Sequence, residues 1–324
     1  LDRSIDLAMH IASRIFASAT LVVAFALGGG AEAQSNPTDI AARDLVAAAE
    51  REDWESVALY SQRVNDPLVS AYADWLRLQR RQTKAPFSEI ASFIDRHPTW
   101  PRQTDMRQLA EREIDESVSF QMLMDWFERY PPTTGEGGLA HLDAISRLGN
   151  TATIPGLARK YWIEKNFEAA TETAYLRAYG RHLDRASHEA RTDRLIWQRS
   201  HTAARRMVKR LEAGPAKLAT ARIALLRRTN GVDGAIAQVP DSLRDAPELW
   251  FERLQWRRKK ENNNGAREIL DRVPNPRPRP ELWAKEARIL ARRALSEGHY
   301  SEAAALVSNH GLSSGGEFAE SEFL

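Results

Sequence analysis

Residues 66–101, DPLVSAYADWLRLQRRQTKAPFSEIASFIDRHPTWP, hold two helical patterns with both of their stop signals, and no other stretch constrains the fold as tightly. Leu68, Tyr72, Trp75, Leu76 and Leu78 fall largely at three- and four-residue spacing, which gathers them on one stripe. Arg77, Gln79, Arg80 and Arg81 lie mostly off it. Pro86 suits a first helical turn, and Phe87, Ile90, Phe93 and Ile94 form a second stripe. Pro98 stops that helix, because the residue before a proline is pushed away from helical ψ. The expectation is a pair of amphipathic helices, the second packed back on the first.

The rest of the chain repeats this plan at irregular intervals. No stretch alternates convincingly at period two, and Ala, Leu, Arg and Glu are frequent, so the class is all-α. Thr38-Asp39 reads as an N-cap leading into 40–50, and 54–64 closes a first hairpin. A polar turn followed by a helix start recurs at Glu52-Asp53-Trp54, at 166–170, at Asn263-Asn264-Gly265-Ala266 and at 298–304. These resemble tetratricopeptide helix-pair starts, and their uneven spacing predicts a solenoid of diverged hairpins. Residues 117–130 predict a helix with Phe120, Leu123, Met124 and Phe127 inward, ended by Pro131-Pro132. Residues 154–179 give another hairpin, and 191–211 place Leu195, Ile196, Ala203, Met207 and Leu211 at helical spacing.

Several segments read as interruptions. Gly214-Pro215 breaks the chain before a stripe of Leu218, Ala221 and Leu225, and Pro240 and Pro247 bracket a connector ahead of 249–256. The glycine-rich stretch 133–138 follows no strand and precedes no GKS or GKT, so it reads as a connector and not as a phosphate cradle. Pro274, Pro276, Pro278 and Pro280 predict an extended, polyproline-like strut. Residues 318–324 read as the first turns of a helix that leaves Phe323 and Leu324 without an assured partner, and the chain beyond about Asn309 is expected to fray.

Residues 1–33 carry Arg3 and Arg14 ahead of an apolar run over 15–27, then small residues ending in Ala31-Glu32-Ala33, the pattern of a secretory signal peptide cut before Gln34. A run of about 13 apolar residues is short of the roughly 20 a spanning helix needs, so no stable membrane insertion is expected after cleavage. With no cysteine, neither disulfides nor thiolate metal sites are available and stability rests on packing. The net charge of +2 conceals an asymmetry: residues 191–300 hold 25 Lys or Arg against 13 Asp or Glu. Such a half suits an anionic partner, with cell-wall peptide carboxylates and anionic lipid headgroups ahead of nucleic acid. Local runs such as Arg205-Arg206 and Arg257-Arg258-Lys259-Lys260 read first as solvated helix faces.

The search for chemistry yields no catalytic residue, no metal site and no cofactor motif. Trp75, Trp126, Trp162, Trp197 and Trp283 sit on helical stripes as core ridges, and Trp100, between prolines, is the tryptophan expected to be partly exposed. His182 and His188 are off register for a shared ligand, there is no HExxH, and no GxSxG element occurs.

Ordered segments along the chain resemble the non-catalytic superhelical region of soluble lytic murein transglycosylases: DPL with YADWLRL and FIDRHPTWP, then DWFERYPP, then RLIW with ARRM at 204–207. LATARIALLRR, LWFERLQWRRKK, WAKEARILARRALSEG and NHGLSSGGEFAESEF continue the likeness. The resemblance implies a right-handed α-superhelix of short hairpins over 34–324, U- or ring-shaped, in a bacterial periplasm. It implies peptidoglycan glycan strands and muropeptides as partners, with no nucleic acid, and a monomer. The family cleaves the bond between N-acetylmuramic acid and N-acetylglucosamine without water, giving 1,6-anhydromuramyl products, from a separate lysozyme-like domain. That domain's ES dipeptide is followed by a GLMQ-type segment. Glu320-Ser321 supplies the dipeptide without the segment, so it reads as a decoy. The chain is therefore expected to be the superhelix without its catalytic domain, a C-terminal truncation inactive by itself. The rival reading is a periplasmic tetratricopeptide-like adaptor that binds proteins.

Overall fold

A computed structural model describes residues 37–149 and 151–324. The leader expected over 1–33 lies outside them. Among the described residues the chain is helical throughout, with three short 3-10 turns and no strand. Its contacts divide it into two compact units, one reaching Tyr161 and resuming at Lys165–His182, the other comprising Trp162–Glu164 and Leu183–Leu324.

The first unit contains α1 (Pro37–Glu50), α2 (Trp54–Ser61), α3 (Pro67–Leu78), α4 (Phe87–Arg96), α5 (Gln103–Arg112), α6 (Phe120–Arg129), α7 (Gly135–Arg147), most of α8 (Ile154–Glu164) and α9 (Ala169–Tyr179). Asp66 caps α3, its carboxylate accepting from the backbone N–H of Leu68 at 2.8 Å and Val69 at 3.3 Å, while Pro67 occupies the first turn where its missing donor costs nothing. In α4, Phe87, Ile90, Phe93 and Ile94 are all buried, as their spacing predicts. In α3 the small residues Val69, Ala71 and Ala73 face inward with Leu78, whereas Leu68 is exposed and Tyr72, Trp75 and Leu76 are half-buried. The reason is crowding from two sides: Val69 and Ala73 pack with α1, and Ala71 and Leu78 pack with α4. The helix paired most closely with α4 is α5, not α3.

Four expectations in this unit are corrected. The first helix starts at Pro37, so Thr38-Asp39 lies inside it. Trp100 is buried, edge-on to Phe93 at 5.6 Å and to Trp75 at 6.0 Å. Helix α6 begins at Phe120 behind a Ser119 cap, which leaves Phe120 exposed under the Arg147 guanidinium while Trp126 takes the inward position.

The fourth correction concerns the glycine-rich stretch, which is the start of α7 and not a connector. Glu111, buried on α5, accepts from the backbone N–H of Thr133 at 2.9 Å and Thr134 at 2.7 Å, and from their hydroxyls at 2.8 and 2.6 Å. Thr134 in turn caps the helix by accepting from Gly137 N–H at 3.0 Å. A carboxylate suits a helix N-terminus, where orphan N–H groups and the dipole favour negative charge. The slot that a phosphate would need is filled by the chain's own glutamate.

The second unit contains α10 (Arg185–Trp197), α11 (His201–Val208), α12 (Ala213–Arg227), α13 (Val232–Ala237), α14 (Asp241–Arg244), α15 (Pro247–Lys259), α16 (Asn263–Arg272), α17 (Pro280–Ser296), α18 (Tyr300–Ser308) and α19 (Gly316–Phe323). The long helices α10, α12, α15 and α17 pack in succession, followed by the short α19, and α11, α16 and α18 are shorter helices each laid on the long one before it. The run 191–211 divides between α10 and α11 at Arg199, whose φ of 60° interrupts the helix, and Ala204 takes the buried place expected for Ala203. Gly214-Pro215 lies inside the first turn of α12, where a proline breaks no hydrogen bond. The proline-rich segment is bent, not extended: Arg277 is buried and donates back to the carbonyls of Val273 and Leu270, both at 2.7 Å. At the end of the chain, α19 is tied down by Arg288 and by His310, which meets Glu322 at 2.9 Å. Leu324 packs on the cluster of Ala291, Ala294, Ala303 and Val307, whereas Phe323 is exposed.

The glycines of α7 generate a stability prediction. A Cβ at Gly137 would sit 2.3 Å from the Glu111 carboxylate, and one at Gly135 would meet the Phe167 ring at 2.4 Å and the Asn166 carbonyl at 2.7 Å. Gly135→Ala and Gly137→Ala are each expected to destabilise by about 1–3 kcal/mol in urea unfolding. Gly156→Ala, in open space, is expected to be neutral or stabilising by up to about 1 kcal/mol. Equal effects at the three positions would contradict the packed-glycine account.

Candidate functional site

The basic half is less solvated than its composition suggests, because many of its arginines are turned inward. Arg191 is fully buried, donates to the Trp162 carbonyl at 2.8 Å and lies over the Trp162 ring at 4.3 Å. Arg222 on α12 is buried between two helices. Its Nε and Nη2 donate to the two Glu252 oxygens of α15 at 3.0 and 3.1 Å, and its Nη1 donates to Asp193 of α10 at 2.7 Å. On the next turn of α15, Gln255 donates to Glu286 of α17 at 2.8 Å, and Arg258 pairs with the same carboxylate. Arg288 on α17 then reaches α19, donating to the Glu317 carbonyl at 2.9 Å and to Ser321 Oγ at 3.1 Å.

These ties share one step along the chain. Arg191–Trp162, Arg222–Asp193, Arg222–Glu252, Gln255–Glu286, Arg258–Glu286 and Arg288–Glu317 join residues 28 to 31 apart. Each therefore bridges one layer of helix to the next of like kind. In sequence Glu252 and Glu286 look like ordinary members of polar faces; the clue to their burial was the recurrence of an arginine about thirty residues away.

The candidate binding surface is an open groove on α15 and α16, lined by Trp250, Arg253, Arg257, Glu268, Ile269, Asp271 and Arg272. The Trp250 ring is covered by the guanidinium groups of Arg253 at 4.1 Å and Arg272 at 4.5 Å, so the indole supports cations and is not itself an open sugar platform. Burial, together with the charges of Arg257 and Arg272, pushes the Arg253 guanidinium below its ordinary value. Arg257 meets Glu268 at 3.3 Å, and Arg272 meets Asp245 at 3.3 Å. The groove thus offers both signs of charge beside an aromatic face.

The other residues singled out from sequence have structural work. Trp126, Trp162 and Trp283 are fully buried, and Trp75 and Trp197 are half-buried, Trp197 between Arg222 at 5.5 Å and Arg279 at 5.1 Å. His188 accepts from Trp162 Nε1 at 3.2 Å, and the His182 carbonyl accepts from Arg159 at 3.2 Å. Glu320 pairs with Arg288 at 3.1 Å, and Ser321 is buried with its hydroxyl donating to the Glu317 carbonyl at 2.8 Å. Among the described residues no group of three or more His, Cys, Asp or Glu side chains is placed to hold a metal ion, and no helix is long and apolar enough to cross a membrane. Comparison with protein-family models, curated proteins and solved structures returned no match to this chain.

Burial pushes the Glu252 carboxyl up to about 7, against the pull of Arg222. A carboxyl whose folded value is raised binds its proton more tightly in the folded chain, so its contribution to stability is full below the unfolded value near 4.5 and is lost as pH rises toward 7. Wild-type stability is therefore expected to fall relative to Glu252→Gln by roughly 3 kcal/mol between pH 4.5 and 7 in urea titrations. Parallel curves for the two proteins would contradict this.

Proposed function

We infer that the chain is a helical scaffold of the cell envelope that associates with peptidoglycan, corresponding to the superhelical region of a soluble lytic murein transglycosylase. The observation that carries this reading is the constant step of 28 to 31 residues between tied side chains of the second unit. Stacked helix pairs of near-constant length are the building unit of tetratricopeptide-like α-solenoids, and a small rotation per pair curls such a stack into a superhelix. The segments that resemble the family support the reading too. RLIW falls on α10, LATARIALLRR spans the end of α12, LWFERLQWRRKK runs along α15, and WAKEARILARRALSEG begins within α17. They occupy the long helices, one per layer.

The leader pattern over 1–33 supports export to the periplasm, where the murein layer lies. Stem peptides of murein carry carboxylates and amines on short flexible chains. The groove beside Trp250 presents Arg253, Arg257 and Arg272 for the first and Glu268 and Asp271 for the second.

The test is co-sedimentation of the purified chain with murein sacculi. The chain is expected in the pellet at low salt and progressively less so as salt rises, because exposed charges are screened over about 10 Å at 0.1 M salt. Arg253→Ala with Arg272→Ala is expected to lower the bound fraction further. A chain that stays in the supernatant at every salt concentration would overturn the peptidoglycan reading and favour a protein-binding adaptor.

A further inference from the structure

The chain contains Asn-Gly twice, as Asn230-Gly231 and as Asn264-Gly265, and the fold treats the two dipeptides differently. An asparagine followed by glycine can react with itself: the side-chain carbonyl carbon lies near the next backbone nitrogen, and glycine has no Cβ to block the approach. Whether the two atoms meet depends on the backbone around them. Asn264-Gly265 is held apart. Both residues lie at the start of α16, where Asn264 Oδ1 accepts from Arg267 Nη1 at 3.2 Å and the Gly265 N–H donates to the capping Asn262 Oδ1 at 2.9 Å. Helical ψ carries the glycine nitrogen away from the asparagine side chain, so closing a ring there would unwind the first turn and break the cap.

Asn230-Gly231 is under no such restraint. It lies in the turn between α12 and α13, Asn230 is exposed, and Gly231 holds φ 80° with open space where a Cβ would stand. Among the described residues neither the Asn230 side chain nor the Gly231 N–H has a hydrogen-bond partner. The backbone is anchored on both sides of the pair: the Thr229 N–H donates to the Ala224 carbonyl at 3.2 Å, and the Gly231 carbonyl accepts from the Ala235 N–H at 3.0 Å. The unrestrained bonds are those that ring closure must turn.

We propose that Asn230 is a site of spontaneous deamidation, whereas Asn264 is protected by the fold. The Gly231 nitrogen gives up its proton to base and attacks Asn230 Cγ, forming a new C–N bond. The bond from Cγ to the side-chain nitrogen breaks, and ammonia leaves with a proton, which makes a cyclic imide. Water then adds to one of the two imide carbonyls and breaks its bond to the Gly231 nitrogen, giving aspartate or isoaspartate. Water is the co-reactant, and nothing is oxidised or reduced. Either product replaces a neutral amide with a carboxylate in the basic half of the chain. Isoaspartate also adds a carbon to the backbone just ahead of Val232, which is buried with Ala221, Leu225, Val239 and Leu249. The site stands apart from the peptidoglycan reading, since the reaction requires no ligand.

The test is a time course of the full chain in warm, mildly alkaline buffer, native and urea-unfolded, read by tryptic digestion and tandem mass spectrometry. Trypsin releases Asn230 in peptide 229–244 and Asn264 in peptide 261–267. In the native chain 229–244 is expected to gain about 1 Da at Asn230, as two products of equal mass. Its rate is expected to lie within about tenfold of that in the unfolded chain, whereas Asn264 converts roughly a hundredfold more slowly folded than unfolded. Asn230→Ser, with native circular dichroism, is expected to abolish the gain in 229–244. No gain at Asn230 in the native chain, equal native rates at the two asparagines, or a gain that persists in Asn230→Ser would overturn the proposal.

Discussion

The bidentate pair between Arg222 and Glu252 is the contact around which the second unit is organised. Both side chains are almost wholly out of water, at 4% and 2% exposure, and Asp193 adds a third charge from the helix before. Burying these groups costs several kcal/mol per ion, which good geometry and full hydrogen bonding offset. What the pair adds is direction. Apolar stripes of leucine and alanine slide against each other with little penalty, whereas a guanidinium fork fits its carboxylate in one register only. With no disulfide available, register in this unit rests on such side-chain ties together with packing.

Much of the local structure was legible in the sequence because its causes are local. Trp54, Ala169, Asn263 and Tyr300 each begin a helix at the turn expected of them, and α4 buries the four residues its spacing named. The errors share another cause, a partner distant in the chain. Gly135, Gly137 and Gly138 looked like a connector because Glu111, the carboxylate that organises them, lies more than twenty residues earlier. Trp100 looked exposed between its prolines, yet Trp75 and Phe93 close over it. The proline-rich segment looked extended until Arg277 folded it back onto α16. In the second unit the positive balance was visible, but its distribution was not: Arg191, Arg222, Arg277 and Arg288 are inside, and their charges are unavailable to a partner.

That redistribution narrows the functional question. A chain whose inward arginines hold its layers together has fewer cations left for recognition. Arg253, Arg257 and Arg272 line the groove with Trp250 beside two carboxylates. This arrangement suits a ligand of mixed charge. It lies on helices whose register the buried ties set, so recognition and stability draw on the same framework.

The central claim is that buried polar ties, and not apolar packing alone, set the register of the second unit. A double-mutant cycle on Arg222→Met and Glu252→Met, read by urea unfolding, tests it most directly. The account predicts single variants each destabilised by about 3–5 kcal/mol, because each strands a buried group, and a double variant that recovers a large share of that loss. Single effects that sum to the double within about 0.5 kcal/mol would show the two side chains to be energetically independent and would contradict the account.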